Sequence, residues 1–511
     1  MTETGIENQN ASQPNSAKES LVVQRDPEDI DVHENTSDTV KNEKKVGSFN
    51  TVFSVWNNMI GSSTVSLPYN VYNAGIIPTI VISIVYGFIS FYTCKIYATY
   101  GKKTPDFADV VEKYFNKAFG HKIGKIAKTT QIIFNLMVNI GATLIYFLII
   151  NQNLYPCLCL LLNTIGIDIK VEEEPLFSKF SLLYSGIIFA FLVFPLTIRK
   201  EIGLLVKLSS YGIYFISILI IYVIVIGIKS LFTTNFHFDY IQNVESSKDR
   251  YLLLYGENPS LLAGALSLGY FCHSIIMPVL NANLKQENNI RDLFFGYCLV
   301  CLTFLSVGIF GYIGFSGYGY KVVFKSNWFL FYDSDNIFIL FLRLLNVFQL
   351  GSVFPILFFV VRTQLFKNVY GKEYLGKFQM VIFSVIFLFI CEVVLYLCHD
   401  FLGELLGITG ATTALILVYS LPPIVAIIDR YYDGNIDNER NQNTEENKCL
   451  NKDINNVNNN NLKLDESQLT KQKIKDVLFI FGEFMIIMTG IVTFVFQFVH
   501  VNFFNVEIKN A

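Results

Sequence analysis

Apolar residues run almost unbroken over about 20 positions at eleven places along the chain, near 49–73, 76–99, 128–152, 180–198, 203–228, 259–281, 292–315, 336–362, 376–398, 402–429 and 475–500. A helix of about 20 apolar residues crosses the hydrocarbon core of a bilayer, so each stretch predicts one membrane-spanning helix. The predicted fold class is an all-α polytopic membrane protein of about eleven transmembrane helices. The connections Lys102 to Lys128, Arg199 to Glu201, Lys285 to Arg291 and Lys367 to Lys377 are rich in Lys and Arg. They alternate with outer loops such as Ile167 to Pro175, which carries Glu172, Glu173 and Glu174. The positive-inside rule then places the N-terminus in the cytoplasm, and an odd number of spans places the C-terminus on the other side.

Two spans interrupt their own helical pattern. Asn57, Asn58, Gly61, Ser62, Ser63 and Thr64 lie in the middle of the first, with Pro68 further on. The sixth, LLAGALSLGYFCHSIIMPVL from Leu261 to Leu280, is broken by glycines in the same way. Backbone that gives up helical bonds at membrane depth is tolerated only where it is buried in protein or lines a cavity. Interrupted helices at matching places in two halves point to a repeat-built transporter with its site near the midplane. The transporter core is thus expected over 49–429, with repeats at 49–228 and 259–429. Residues 1–48 are too polar to pack and contain no signal peptide, so they predict a disordered cytoplasmic tail. Residues 430–473 include NIDNERNQNTEENK and NNVNNNN and predict a disordered Asn-rich cytoplasmic loop. Residues 474–511 hold helix eleven and the C-terminus.

Composition agrees with this picture and removes alternatives. The 511 residues are 52% hydrophobic and 16% charged, with a mean hydropathy of +0.42 and a net charge of -3. No basic stripe offers a nucleic-acid surface. The nine cysteines are scattered, and the pair Cys298 and Cys301 lies in an apolar run without companion ligands, which fits small buried side chains. No P-loop, HExxH or nucleophile elbow marks an enzyme, and no cofactor is expected beyond coupling to H+ or Na+.

An unwound turn exposes amide N–H and carbonyl groups, and the adjoining half-helix ends add partial charges, which suits the two ends of an amino acid zwitterion. Amides around Gly61 to Thr64 would hold a carboxylate, and carbonyls near Asn57 to Ile60 a cation. The plainer alternative is that these small residues only let helices pack closely. Gln131, Asn135, Asn139 and Thr143 recur every four residues on span three and form one polar stripe. It either hydrogen-bonds neighbouring helices or lines the permeation route. Arg343, Asn346, Gln349 and Ser352 make a similar stripe on span eight, where Arg343 needs a counter-charge or the outer vestibule. His273, just past the second break, is either a hydrogen-bonded structural residue or a proton site. Glu392 and Glu483 are the intramembrane acids, and Lys95 and Lys207 are expected to snorkel.

NNMIGSSTVSLPY followed by NAG, FCHSIIMPVLNANLK from Phe271 to Lys285, FPILFFVVR ending at Arg362, and GITGATTA followed by LPP at Leu421 to Pro423 occur in this order. Together they resemble helices one, six, eight and ten of the amino acid/auxin permeases, the group that includes the sodium-coupled neutral amino acid transporters. The resemblance covers most of 49–429. It implies a LeuT-like fold of two inverted five-helix repeats plus one extra helix, and transport of neutral or cationic amino acids by alternating access. By that analogy Asn57, Gly61, Ser62, Ser63, Thr64, Gly269 and Phe271 would surround the substrate, with Asn139 from the stripe beside them. Asn57, His273, Ser352 and Glu392 are the candidates for ion coupling. The chain departs from the family at Ser63, where many relatives have glycine, and before Pro355, where Gly351, Ser352 and Val353 replace the threonine of sodium-coupled members.

The expected protein is a monomeric amino acid transporter embedded in the lipid bilayer. The Asn-rich loop resembles those of apicomplexan-parasite transporters, which implies the plasma membrane or a digestive, lysosome-like vacuole. The rival readings are an amino acid-sensing receptor signalling through its tail, and a permease for other organic cations or drugs.

Overall fold

A computed structural model describes residues 47–101, 106–169, 180–200, 205, 209, 211–239, 250–316, 325–332, 336–372, 374–431 and 459–500. The expectations for the N-terminal tail, for Glu172 to Glu174, for Lys207 and for most of the Asn-rich loop lie outside these residues.

The first span is two helices, α1 (Ser48–Met59) and α2 (Ser62–Ala74). After them come α3 (Ile76–Tyr100), the amphipathic α4 (Phe107–Phe119), the long α5 (His121–Thr164), α6 (Leu182–Thr197) and α7 (Gly212–Thr233). The sixth span is again split, into α8 (Pro259–Gly269) and α9 (Ile276–Asn281). The chain continues through α10 (Asn289–Ser316), α11 (Ile337–Tyr370), α12 (Lys377–Cys398), α13 (Leu402–Leu417), α14 (421–431) and α15 (Asn459–His500). Among the described residues eight helices, counting α13 with α14 as one span, are long and apolar enough to cross a membrane. With α6 and the two broken pairs they account for the eleven predicted spans.

Two features differ from the sequence reading. Phe236–Asp239 pairs in parallel with Arg250–Leu253, a two-stranded ladder in the connection from α7 to α8. In addition, α15 begins at Asn459, so the last part of the stretch assigned to the loop is helical. Its segment LKLDESQLTKQKIKDVL is rich in strong helix formers, and the helix that follows extends through it without a breaker.

Large apolar side chains point outward: Phe191 on α6 is 82% exposed and Phe232 on α7 is 87% exposed. Such surfaces face lipid, where a helix satisfies its own backbone and its apolar side chains need no protein partner. The interior is built where α5 packs on α11 and α4, α8 on α13, and α10 on α7 and α2. Gly75 joins α2 to α3 at φ 84°, a left-handed conformation that favours glycine. The turn is tied to the segment before α8: Ala74 O accepts from Gly256 N (2.9 Å), Asn73 O from Asn258 N (2.9 Å), and Leu254 O from Ile77 N (3.1 Å). The end of the first broken span and the start of the second are thereby held side by side.

Arg362 of α11 is completely buried and donates to the carbonyls of Thr197 and Arg199, the latter over 2.6 Å. It caps the negative end of α6. Arg343 is also buried, and among the described residues it donates to two carbonyls, Phe329 O (2.8 Å) and Tyr332 O (3.3 Å), in and just after the 3-10 turn Trp328–Phe331.

Candidate functional site

Helical bonding stops at Ile60, whose amide still reaches Trp56 O (3.0 Å), and resumes after Gly61, whose carbonyl accepts from Thr64 N (3.2 Å) and Thr64 Oγ1 (2.7 Å). The α1 C-terminus and the α2 N-terminus therefore meet at residues 60–61. Opposite them, α8 ends with Tyr270 N on Leu266 O (2.9 Å), and residues 270–275 cross to α9 without regular helix. Carbonyl-rich ends of α1 and α8 and the amide-rich start of α2 converge, giving partial negative and positive charge in one place.

Between the two breaks lies a cavity of about 100 Å³. Asn58 and Met59 line it from the end of α1, and Gly61, Ser62 and Ser63 from the start of α2. Val138, Asn139, Ala142 and Tyr146 face it from α5. Leu268, Gly269, Phe271, Ser274 and Ile275 close it from the second break, and Leu357 from α11. A Cβ at Gly269 would come within 3.1 Å of Ser63 Oγ, so glycine there lets α8 approach α2. No charged side chain contributes to the lining among the described residues.

Six of the eight residues expected around a substrate thus surround one space: Gly61, Ser62, Ser63, Gly269, Phe271 and Asn139. The other two do not line it. Asn57 is half-buried on α1, about 100° around the helix from Asn58. Thr64 turns into a separate small cavity with Asn346 and Trp328. Sequence reasoning marked Asn58 as part of the broken stretch without placing it at the substrate, and missed Tyr146 and Ser274. Tyr146 carried a usable signal, since it falls three residues after Thr143 on the same polar stripe.

The ion-coupling candidates do not form a cluster. His273 is buried, with Nε2 3.0 Å from Thr93 Oγ1 and its ring packed against Tyr97 and Phe271. Ser352 donates to Gln349 O in its own helix (2.8 Å) and lies beside Gly212 of α7. The Glu392 carboxylate lies against Gly186 of α6, between α12 and α6.

A second cavity, of about 320 Å³, adjoins the first and shares Ser274 with it. It is lined by Asp106, Ala108, Gln131, Ile132, Asn135, Thr363, Gln364, Lys367 and Asn368. Asn139 Nδ2 donates to Gln364 Oε1 over 3.3 Å where the two spaces meet. The stripe on α5 therefore serves both roles left open by the sequence: Gln131 bonds Tyr97 Oη (3.0 Å), and Gln131, Asn135 and Asn139 line cavities. At the other end of the bundle amide side chains bond one element to another. Asn327 Nδ2 donates to Gln152 Oε1 (2.9 Å), and Asn153 Nδ2 to Asn346 Oδ1 (3.1 Å).

The family described as transmembrane amino acid transporter protein matches residues 44–430. A sodium-coupled neutral amino acid transporter 9 homolog of Caenorhabditis elegans is 25% identical over 430 residues, which is 75% of this chain and 68% of the relative. Neutral amino acid transporter 9 of Danio rerio is 25% identical over 424 residues, 74% of each chain, and that of Rattus norvegicus 24% over 433 residues, 76% and 75%. With a match spanning every helix from α1 to nearly the end of α14, the chain belongs to the transmembrane amino acid transporter family.

Proposed function

We propose that this protein is a secondary active transporter that carries neutral amino acids by alternating access, with the substrate held between the α1–α2 and α8–α9 breaks. The observation that carries the reading is the cavity itself: two unwound segments face one another across it, with glycine and serine at the points of closest approach. The α-carboxylate docks on the amides that open α2, where no preceding turn supplies acceptors. The α-ammonium faces the carbonyls that end α1 and α8. A lining without charged side chains favours neutral substrates over cationic ones, since a buried charge demands a partner. The names of the relatives support the same substrate class. Closure at the Asn153–Asn346 end and openness beyond Ser274 describe one of the two states that alternating access requires.

The test is uptake of a panel of labelled amino acids into proteoliposomes, with proton and sodium gradients imposed separately, for the natural protein and Gly61→Trp. Saturable uptake abolished by the substitution is the expected result, and the gradient that drives it identifies the coupling ion. Retained uptake in Gly61→Trp would move the substrate elsewhere. Binding without uptake under any gradient would replace the transporter by a receptor.

A further inference from the structure

We propose that the start of α5 is a docking site for an anionic phospholipid, whose phosphate is held by Lys122 and Lys125 and whose acyl chain lies along Ile126, Ile133 and Met137. Lys122, Ile126, Thr129, Ile133 and Met137 recur every three or four residues, and Lys125 lies one turn after Lys122, so all six share one face of α5. That face is uncovered along its length. Both lysines and Thr129 are exposed, and Ile126, Ile133 and Met137 are 64%, 49% and 43% exposed. The apolar stretch begins near residue 128, so Lys125 and Lys122 stand about 5 and 9 Å beyond it, in the headgroup layer.

The two lysines are left for an outside partner because the described acids of this corner are already engaged. Gly120 turns the chain at φ 87°, and α4 folds back on α5 where a Cβ at Gly124 would strike Asn116 Oδ1. Lys128 reaches across that hairpin to both Asp109 Oδ1 and Glu112 Oε2 (2.7 Å each). Asp106 caps α4 by accepting from Ala108 N (3.0 Å). Neither Lys122 nor Lys125 has an ion pair among the described residues. Two ammonium groups one turn apart repel each other, and an anion between them removes that repulsion while hydrogen-bonding both. What docks there carries negative charge at the headgroup level and an apolar body next to it, and an anionic phospholipid has both parts in this order. A soluble anion would leave the apolar half of the face unused.

The test is native mass spectrometry of the purified full chain, titrated with dioleoyl phosphatidylglycerol or with dioleoyl phosphatidylcholine, which share their chains and differ in headgroup charge. The natural protein is expected to bind one phosphatidylglycerol about 30-fold more tightly than phosphatidylcholine, the combined effect of two lysines. Lys122→Gln with Lys125→Gln brings the two lipids to within about threefold of each other. Lys122→Arg with Lys125→Arg, which keeps both charges, holds the preference. Lys372→Gln with Lys377→Gln removes two exposed charges from the same end of the bundle, where Lys367 of α11 shares a cavity with Asp106, and leaves the preference unchanged. Equal affinities in the natural protein, or a preference kept by the glutamine pair on α5, overturn the site. So does a loss as large in the Lys372 and Lys377 variant, because the attraction would then be diffuse surface charge. Displacement of the lipid by glycerophosphoglycerol at the same concentration overturns lipid docking in favour of a site for the headgroup anion alone.

Discussion

Tyr146 lays its hydroxyl so close to Gly61 that a methyl group at position 61 would occupy the same space. The contact joins α5 to the break between α1 and α2, on the wall of the smaller cavity. The neighbouring hydroxyl is by itself enough to require glycine there.

Gly61→Ala is therefore expected to push Tyr146 into the cavity and lower the maximal uptake rate at least tenfold. Tyr146→Phe removes the clashing oxygen, so the double substitution should recover part of that loss. Uptake kinetics of the two single variants and the double variant check the coupling. Additive losses would show that the two residues act independently.

How much of this site was legible beforehand depends on what kind of signal each residue sends. Gly61, Ser62 and Ser63 stand out because small and polar residues at membrane depth break the apolar pattern. The helix phase does not stand out: Asn57 and Asn58 look alike in sequence, and only the helix end decides that Asn58 meets the cavity. Val138 and Leu357 line the same space with side chains that read as ordinary core. Arg343 announced a need for a partner, and its partners among the described residues are carbonyls in and just after a 3-10 turn, groups every residue has and no pattern reveals.

Arg362 offers a test of the framework. Its guanidinium reaches two carbonyls at once, Thr197 O and Arg199 O, from a fully buried position. Lysine carries the same charge but a single point of donation, so Arg362→Lys should leave one carbonyl without its donor. A hydrogen bond to a charged group contributes about 1.5–3 kcal/mol. Thermal unfolding of the purified variant in detergent should show a drop of several degrees, and an unchanged midpoint would remove this cap from the account.

Among the described residues His273 has one polar contact, Thr93 Oγ1 at 3.0 Å, and aromatic neighbours on two sides. A structural role predicts that His273→Gln, which can still meet Thr93, keeps uptake within about threefold and the pH profile unchanged, whereas His273→Leu, which leaves the Thr93 hydroxyl only the carbonyls of its own helix, Ile89 O (3.0 Å) and Ser90 O (3.2 Å), loses more. Uptake measured across pH 5 to 8 separates the roles. A profile flattened by His273→Gln would make this imidazole the proton carrier.

The amide chain at the closed end makes the last prediction. Gln152 Nε2 donates to His399 O (2.6 Å), Asn327 Nδ2 to Gln152 Oε1 (2.9 Å), and Asn153 Nδ2 to Asn346 Oδ1 (3.1 Å). These bonds join α5, α11, the turn before α11 and the end of α12. Asn139, which lines the open cavity, precedes Gln152 on α5 by thirteen residues, about 20 Å along the helix. A hydrogen bond between helices in a membrane is worth about 0.6–2 kcal/mol. Asn153→Ala deletes the bond to Asn346, so the equilibrium should move toward the state open at this end by roughly 3- to 30-fold. A cysteine placed at Thr64, inside the small cavity that Asn346 also lines, reports the change. Its labelling by an impermeant thiol reagent, applied on the side where α5 ends, should accelerate by that factor in Asn153→Ala, against a background in which Cys157 and Cys159 are replaced by serine. Equal labelling rates with and without the asparagine would mean that apolar packing around Trp328 closes this end and that the amides merely accompany it.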